Sequence, residues 1–175
     1  MILDIFGGGG SGKTTLKSAL LKMGAIFAGF VPYTTRPKRP EEVEGVHYHF
    51  VSVEAYLNNS SLLLKREADG MLYGVDRNDL IPRTDGKVLV TTFDVEGIRT
   101  LEKMGKTVRV AYLNITEDER RRRMLSRGDD PAAIERRILI DRVQTQNLEF
   151  NSPILEILGG DLSKIVERVQ VFIAG

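Results

Sequence analysis

Cysteine is absent from the 175 residues, which removes disulfides, thiolate catalysis and cysteine-based zinc sites together. Its absence also gives no reason to expect an oxidising compartment. No apolar run approaches the roughly 20 residues that cross a bilayer, so no membrane span is expected. Neither sign of charge dominates: 25 Lys and Arg against 24 Asp and Glu leave a net charge of +1. No global field therefore recruits nucleic acid or a membrane surface, and any basic site must be local. Fixed-period repeats and low-complexity tracts are missing, which argues against solenoids and linker arrays. The N-terminus reaches a glycine cluster by Gly7, leaving little room for a signal peptide. The expectation is a cytoplasmic chain without membrane or nucleic-acid partners.

What is present is ordinary globular composition, 42% hydrophobic and 28% charged, at a length that suits one domain. Ile2–Phe6 is a short apolar run closed by glycine, which predicts a buried strand. Leu16, Ala19, Leu20 and Met23 then recur at helical spacing before Gly24. Val88–Thr92 and Val108–Leu113 read as two further strands, with Ile98, Leu101 and Met104 on one face of a helix between them. A strand at Ile154–Leu158 and a helix carrying Leu162, Ile165, Val166, Val169 and Phe172 repeat the scheme. Strands alternating with helices predict an α/β fold, a doubly wound parallel sheet with helices on both faces. Two stretches break this rhythm. Residues 32–86 hold four of the six prolines and read as a small inserted subdomain, and residues 116–137 are helical and dense in arginine. The core then comprises about 1–31, 87–115 and 138–175. Thr116 and Glu119 suggest a capping box, and Asp130-Pro131 a second helix start.

Gly7-Gly8-Gly9-Gly10-Ser11-Gly12-Lys13-Thr14 fits the phosphate-binding pattern G-x-x-x-x-G-K-[ST] at every fixed position, between an apolar strand and an amphipathic helix. Glycine backbone wraps N–H groups around phosphate oxygens, and the following helix adds its positive end. Lys13 is expected at the β- and γ-phosphates and Thr14 at magnesium, with Thr15 beside them. The bland alternative is a glycine-rich turn with a surface lysine. This loop alone does not separate kinases from GTPases, ATPase motors or transporters, although no guanine-reading Asn-Lys-x-Asp run occurs.

Between Thr34 and Val51, Arg36, Lys38 and Arg39 crowd together. Arg36 and Arg39 are candidates to grip a phosphate with forked guanidinium donors, Tyr48 to add a hydroxyl and Glu42 to orient one arginine. The alternative is a solvated basic loop. Arg120, Arg123 and Arg127 share one helix face by spacing, while Arg121 and Arg122 point elsewhere. Arg120 is expected, like those two, to be solvated. His47 and His49 flank Tyr48 on a predicted strand and would share its opposite face, a weak metal candidate. Asp4, inside the first strand, has no functional reading from sequence.

Thr34-Thr35-Arg36, Arg39, Glu42, Gly45, Tyr48 and Phe50-Val51 resemble the nucleotide-binding signature of guanylate kinases. The resemblance continues at Gly70, Tyr73-Gly74, Asp94-Val95-Glu96-Gly97, Arg123, Arg127-Gly128 and Arg137. It implies a P-loop nucleoside monophosphate kinase using ATP and Mg2+, with ATP on Gly7–Thr15. The insert would bind the acceptor through Arg36, Arg39, Glu42, Tyr48, Tyr73 and Gly74, with Asp94 at the base or a magnesium-bound water. Residues 116–137 would form a lid bringing Arg123, Arg127 and Arg137 to the ATP phosphates. Lys13 and Arg36 would share the catalytic charge with those three. Three departures fall where the family reads guanine: Pro32 and Val75 replace hydroxyl residues and Leu64 replaces a glutamate. Glu67 would stand in for that glutamate if the strand register slipped by three. The implied acceptor is GMP or dGMP. The alternatives are another nucleotide, including one with a modified base, a sugar phosphate, or a non-catalytic binding module of the same fold.

Overall fold

The apolar runs and their glycine stops fold, in chain order, into β1 (Ile2–Phe6), α1 (Lys13–Leu21), β2 (Phe27–Ala28), β3 (Tyr33–Thr34), β4 (His49–Phe50) and α2 (Val53–Asn58). There follow β5 (Leu62–Ala68), β6 (Met71–Asp76), a 3-10 turn (Arg77–Leu80), β7 (Val88–Thr91), α3 (Val95–Lys103) and β8 (Val108–Leu113). The chain ends with α4 (Glu117–Ser126), α5 (Pro131–Thr145), β9 (Ile154–Ile157) and α6 (Leu162–Ala174). This computed structural model describes residues 1–68, 70–80, 86–146, 148 and 150–175. Two units emerge, Met1–Ala28 with Gly86–Gly175, and Gly29–Asp85. No helix among the described residues is long and apolar enough to cross a membrane.

The first unit is a five-stranded sheet of order β2-β7-β1-β8-β9, parallel at every pairing. Because side chains alternate along a strand, Leu3 and Ile5 share one face of β1. There they pack with Val88, Val90, Ala111 and Leu113 against Leu16 and Leu20 of α1 and Val169 of α6. Ile2, Asp4 and Phe6 point to the other face, and α3 buries Ile98 and Leu101 there. Four of its helix starts have a sequence-coded cap: Asp94, Thr116, Asp130 and Asp161 accept backbone N–H groups of α3, α4, α5 and α6. The box at Thr116 stays half-made, because the Glu119 carboxylate takes Arg122 and Arg123 instead. The sequence-based boundary at residue 137 falls inside α5, which runs unbroken to Thr145 because no glycine or proline interrupts it.

Asp4 is fully buried in β1, and its place follows from register. It pairs with Thr91 at the end of β7, so its Oδ1 accepts both the Thr91 hydroxyl (2.6 Å) and the Phe93 N–H (2.7 Å). Its Oδ2 is buried without a partner among the described residues. Burial pushes the carboxyl up to about 6, against the opposing pull of these two bonds and of Lys13. The folded chain thus binds this proton more tightly than the unfolded chain, whose value is near 3.8. Stability tied to Asp4 is greatest below about pH 4 and falls as pH rises through about 6. In thermal unfolding, Asp4→Asn is expected to gain on the wild type as pH moves from about 4 to about 7. A difference in Tm that stays constant across that range would contradict the assignment.

The second unit is a four-stranded sheet of order β4-β3-β6-β5, in which only β3 and β4 run parallel. Helix α2 buries Tyr56, whose hydroxyl donates to the Tyr73 carbonyl at 2.6 Å. A Cβ on Gly74 would stand 2.9 Å from that hydroxyl, so the Tyr-Gly pair has a packing reason of its own. Strand β5 carries one extra residue between Leu63 and Arg66, and Leu64 takes a left-handed backbone (φ 50°) there.

Candidate functional site

In the first unit the glycine loop leaves β1 and enters α1 through Gly12, which offers no side-chain cap. The first amides of α1 therefore remain available to an anion. The Lys13 ammonium folds over the loop and donates to the carbonyls of Gly7 (2.5 Å) and Gly8 (2.9 Å). Burial pushes it down to about 8; Asp141 opposes that shift, and Arg137 and Arg120 add to it. Thr14 and Thr15 are exposed on the first turn of α1, and the Ser11 hydroxyl is buried without a partner among the described residues.

Two helices distant in sequence press on this loop. Arg120 of α4, expected on a solvated face, is instead buried. Its Nε donates to the Gly9 carbonyl at 2.8 Å, and its Nη2 pairs with Asp141 of α5. The same Asp141 carboxylate accepts the Gly9 N–H at 2.7 Å, so one ion pair holds both polar groups of Gly9. The approach is close enough to explain the glycines. A Cβ on Gly8 would collide with the Arg120 guanidinium, and one on Gly9 would meet Cδ of Arg137 at 2.5 Å. Arg123 reaches the Ser11 carbonyl at 3.3 Å while Glu119 holds its Nε at 2.7 Å. Arg127 pairs with Asp129 on the exposed end of α4. Arg121 joins Glu135 across α4 and α5 at 2.8 Å, and Arg122 stays largely exposed on Glu119. Asp94 caps α3 by accepting the Gly97 N–H at 2.9 Å, beside the Phe93 amide that Asp4 holds.

Arg120 and Asp141 were legible in principle. Arg120 lies one turn before buried Met124, and Asp141 continues the stripe of Ile134 and Ile138 that packs against it.

In the second unit Arg36 donates to Glu42 at 2.6 Å and to the Pro37 carbonyl at 2.7 Å. Glu42 also accepts the Arg39 N–H at 2.8 Å, while the Arg39 side chain is exposed. Burial alone would raise the Glu42 carboxyl, yet the Arg36 and Arg39 donors hold it below the usual range. The Arg36 guanidinium lies 5.4 Å from the ring centre of Tyr48, which sits 6.2 Å from the Tyr73 ring. Burial pushes the Tyr48 phenol up; Tyr73 adds to this, and Arg36 and Arg66 oppose it. Arg66, which no sequence pattern singled out, stands 4.9 Å from the centre of the Tyr73 ring.

The remaining expectations divide. Val75 is core, and Pro32 lends only its carbonyl to His49. Glu67 does not take the Leu64 role: the register shift is one residue, and Glu67 faces Leu72 on the side of the sheet away from Tyr73. His47 lies in the turn before β4, where its Nδ1 accepts the Val43 N–H, and His49 pairs with Glu44. The two histidines thus take separate partners. Among the described residues no group of three or more His, Asp or Glu side chains suits a metal.

The sequence model described as guanylate kinase matches residues 2–174. The guanylate kinase of Rhizobium etli is 32% identical over 97% of this chain and 80% of its own length. That of Alkalilimnicola ehrlichii is 36% identical over 74% of this chain, and the match spans 66% of its length. A crystal structure of guanylate kinase from Anaplasma phagocytophilum superposes with a TM-score of 0.69 at 24% identity, covering 99% of this chain and 84% of that one.

Removing one partner of a buried ion pair strands the other charge. Arg120→Met is expected to cost about 3–5 kcal/mol in urea unfolding, and adding Asp141→Leu to recover most of it. A single variant within about 1 kcal/mol of wild type would show that the pair does not hold the helices on the loop.

Proposed function

From a chain that belongs to the guanylate kinase family, we propose a phosphotransferase that moves the γ-phosphate of ATP to a nucleoside monophosphate, GMP or dGMP. The observation that carries this reading is the pairing of two kinds of anion-binding chemistry. One is a glycine loop with a half-buried lysine in the first unit; the other is an arginine–tyrosine cluster in the second.

Phosphoryl transfer needs positive charge around the migrating group and an acceptor oxygen in line, with little covalent work for the protein. Amides of Gly10–Thr14 and Lys13 would hold the ATP phosphates. Arg123 and Arg137, already against the loop, would add charge as it develops on the equatorial oxygens, joined by Arg127 once it leaves Asp129. In the second unit Arg36, set by Glu42, with Tyr48 and Tyr73 would fix the acceptor phosphate. Arg39 would join them by turning in from solvent. Asp94, at the start of α3, would meet a donor of the base.

The donor set fits magnesium carried on nucleotide phosphates. Thr14 offers one hard, exposed oxygen, and Mg2+ keeps most of its waters rather than seeking a protein cage. Bound there, the ion would neutralise phosphate charge.

A second reading concerns the acceptor. Val75 is packed in the core and Leu64 sits in the bulge of β5, so neither offers guanine a polar partner. A buried donor left unpaired costs about 1–3 kcal/mol, so two such losses would remove most discrimination for guanine. Weaker selectivity than the family's, or another base, follows from that arithmetic.

A coupled assay of ATP turnover over GMP, dGMP, AMP, dTMP and a ribose phosphate tests both readings. Turnover with at least one nucleoside monophosphate is expected, and none with any of them would defeat the assignment. Lys13→Ala should lower kcat by several powers of ten while leaving the unfolding transition intact. Near-normal turnover by the folded variant would remove the loop from the mechanism.

A further inference from the structure

The bulge in β5 has a specific result. With no extra residue, the pairing that sets Leu63 against Val75 would set Lys65 against Tyr73; the insertion sets Arg66 there instead. Lys65 turns to the other face, where its ammonium lies 5.7 Å from the Tyr56 ring. The insertion is carried by Leu64 in a left-handed backbone, a conformation that strains a residue with a Cβ. Strain of this kind persists where the surroundings over-determine it, and it clusters at ligand-binding sites.

Arg66 thereby joins a cluster that the sequence pattern leaves without it. Its guanidinium covers Tyr73, its charge is felt at the Tyr48 hydroxyl, and Arg36 covers Tyr48 on its own ring. Two guanidinium groups therefore stand over two neighbouring tyrosines. Arg39, the other arginine of the basic loop, is exposed and contributes its backbone N–H to Glu42. The exchange of lysine for arginine is chemically pointed. An ammonium is a point charge, whereas the guanidinium fork presents parallel donors that match two oxygens of one phosphate and keeps its flat face on a ring.

We infer that Arg66 is a further acceptor-binding residue, a second guanidinium for the monophosphate dianion, brought into place by the one-residue bulge at Leu64. This rests on the proposal that the second unit takes a nucleoside monophosphate. Arg66 recognises the phosphate rather than the base, so its loss is felt by every monophosphate alike.

The test compares wild type with Arg66→Met, which keeps a stem on Tyr73 and removes all donors, and Arg66→Lys, which keeps charge without the fork. Calorimetric titrations of GMP, guanosine and ATP into the full chain give the binding, and steady-state assays give KM and kcat. Arg66→Met is expected to weaken GMP binding about 10- to 100-fold, the worth of a charge-assisted bond, with ATP and guanosine unchanged. Arg66→Lys should fall between, with the acceptor KM rising more than kcat falls. Equal GMP affinity in wild type and Arg66→Met would overturn the inference. So would a parallel loss for GMP and guanosine, which marks packing or base contact. Either result leaves the kinase reading standing, whereas a wild type that neither binds nor phosphorylates any monophosphate defeats both.

Discussion

The glycine loop depends on how closely two guanidinium side chains approach bare backbone. Gly8 and Gly9 have no room for a Cβ, because Arg120 and the stem of Arg137 occupy that volume. The curve of the loop is therefore set from outside as much as by its own sequence. Arg120 and Asp141 take the carbonyl and the N–H of Gly9, satisfying each other and the loop with one buried pair. Burying two charges costs several kcal/mol per ion, and it is tolerated when each lone pair and proton finds a partner. Here the loop backbone supplies those partners, so α4, α5 and the loop form one hydrogen-bonded assembly.

A common device runs through both units: a carboxylate steadies the arginine. Asp141 steadies Arg120, Glu119 steadies Arg123, Asp129 holds Arg127, and Glu42 fixes Arg36. A long guanidinium side chain loses rotamer freedom when it meets a ligand. A neighbouring acid that already orders it lowers that cost, and leaves other N–H donors free to turn outward. The pairs at Glu42 and at Asp141 are similarly withdrawn from solvent and share this logic.

The sequence carried the sheet well, because strand–helix alternation and glycine stops are local signals. Val108–Leu113 forms a strand over those same residues, and α6 follows the spacing of Leu162, Ile165, Val166 and Val169. The glycine loop was equally legible, since its pattern and its flanks are contiguous. What escaped depends on register or on packing between distant elements. Asp4 makes sense only once Thr91 is known to lie beside it, and the bulge that sets Arg66 over Tyr73 leaves no mark in a stretch of Leu and Lys. Arg120 departs from expectation because an arginine on a charged helix is usually solvated, whereas its carboxylate partner lies on another helix, 21 residues away.

Lys13 is held by the loop to which it belongs. Its ammonium is held by two carbonyls of the segment that it is expected to serve, Gly7 and Gly8. The chain thus immobilises this flexible side chain during folding, when that entropy is offset by the whole core rather than by one ligand. Under the proposed function, a phosphate oxygen arriving at the ammonium would exchange one oxygen for another, and little solvent would have to reorganise around the charge. The loop behaves as a ligand to its own lysine, a built-in template for the anion that replaces it.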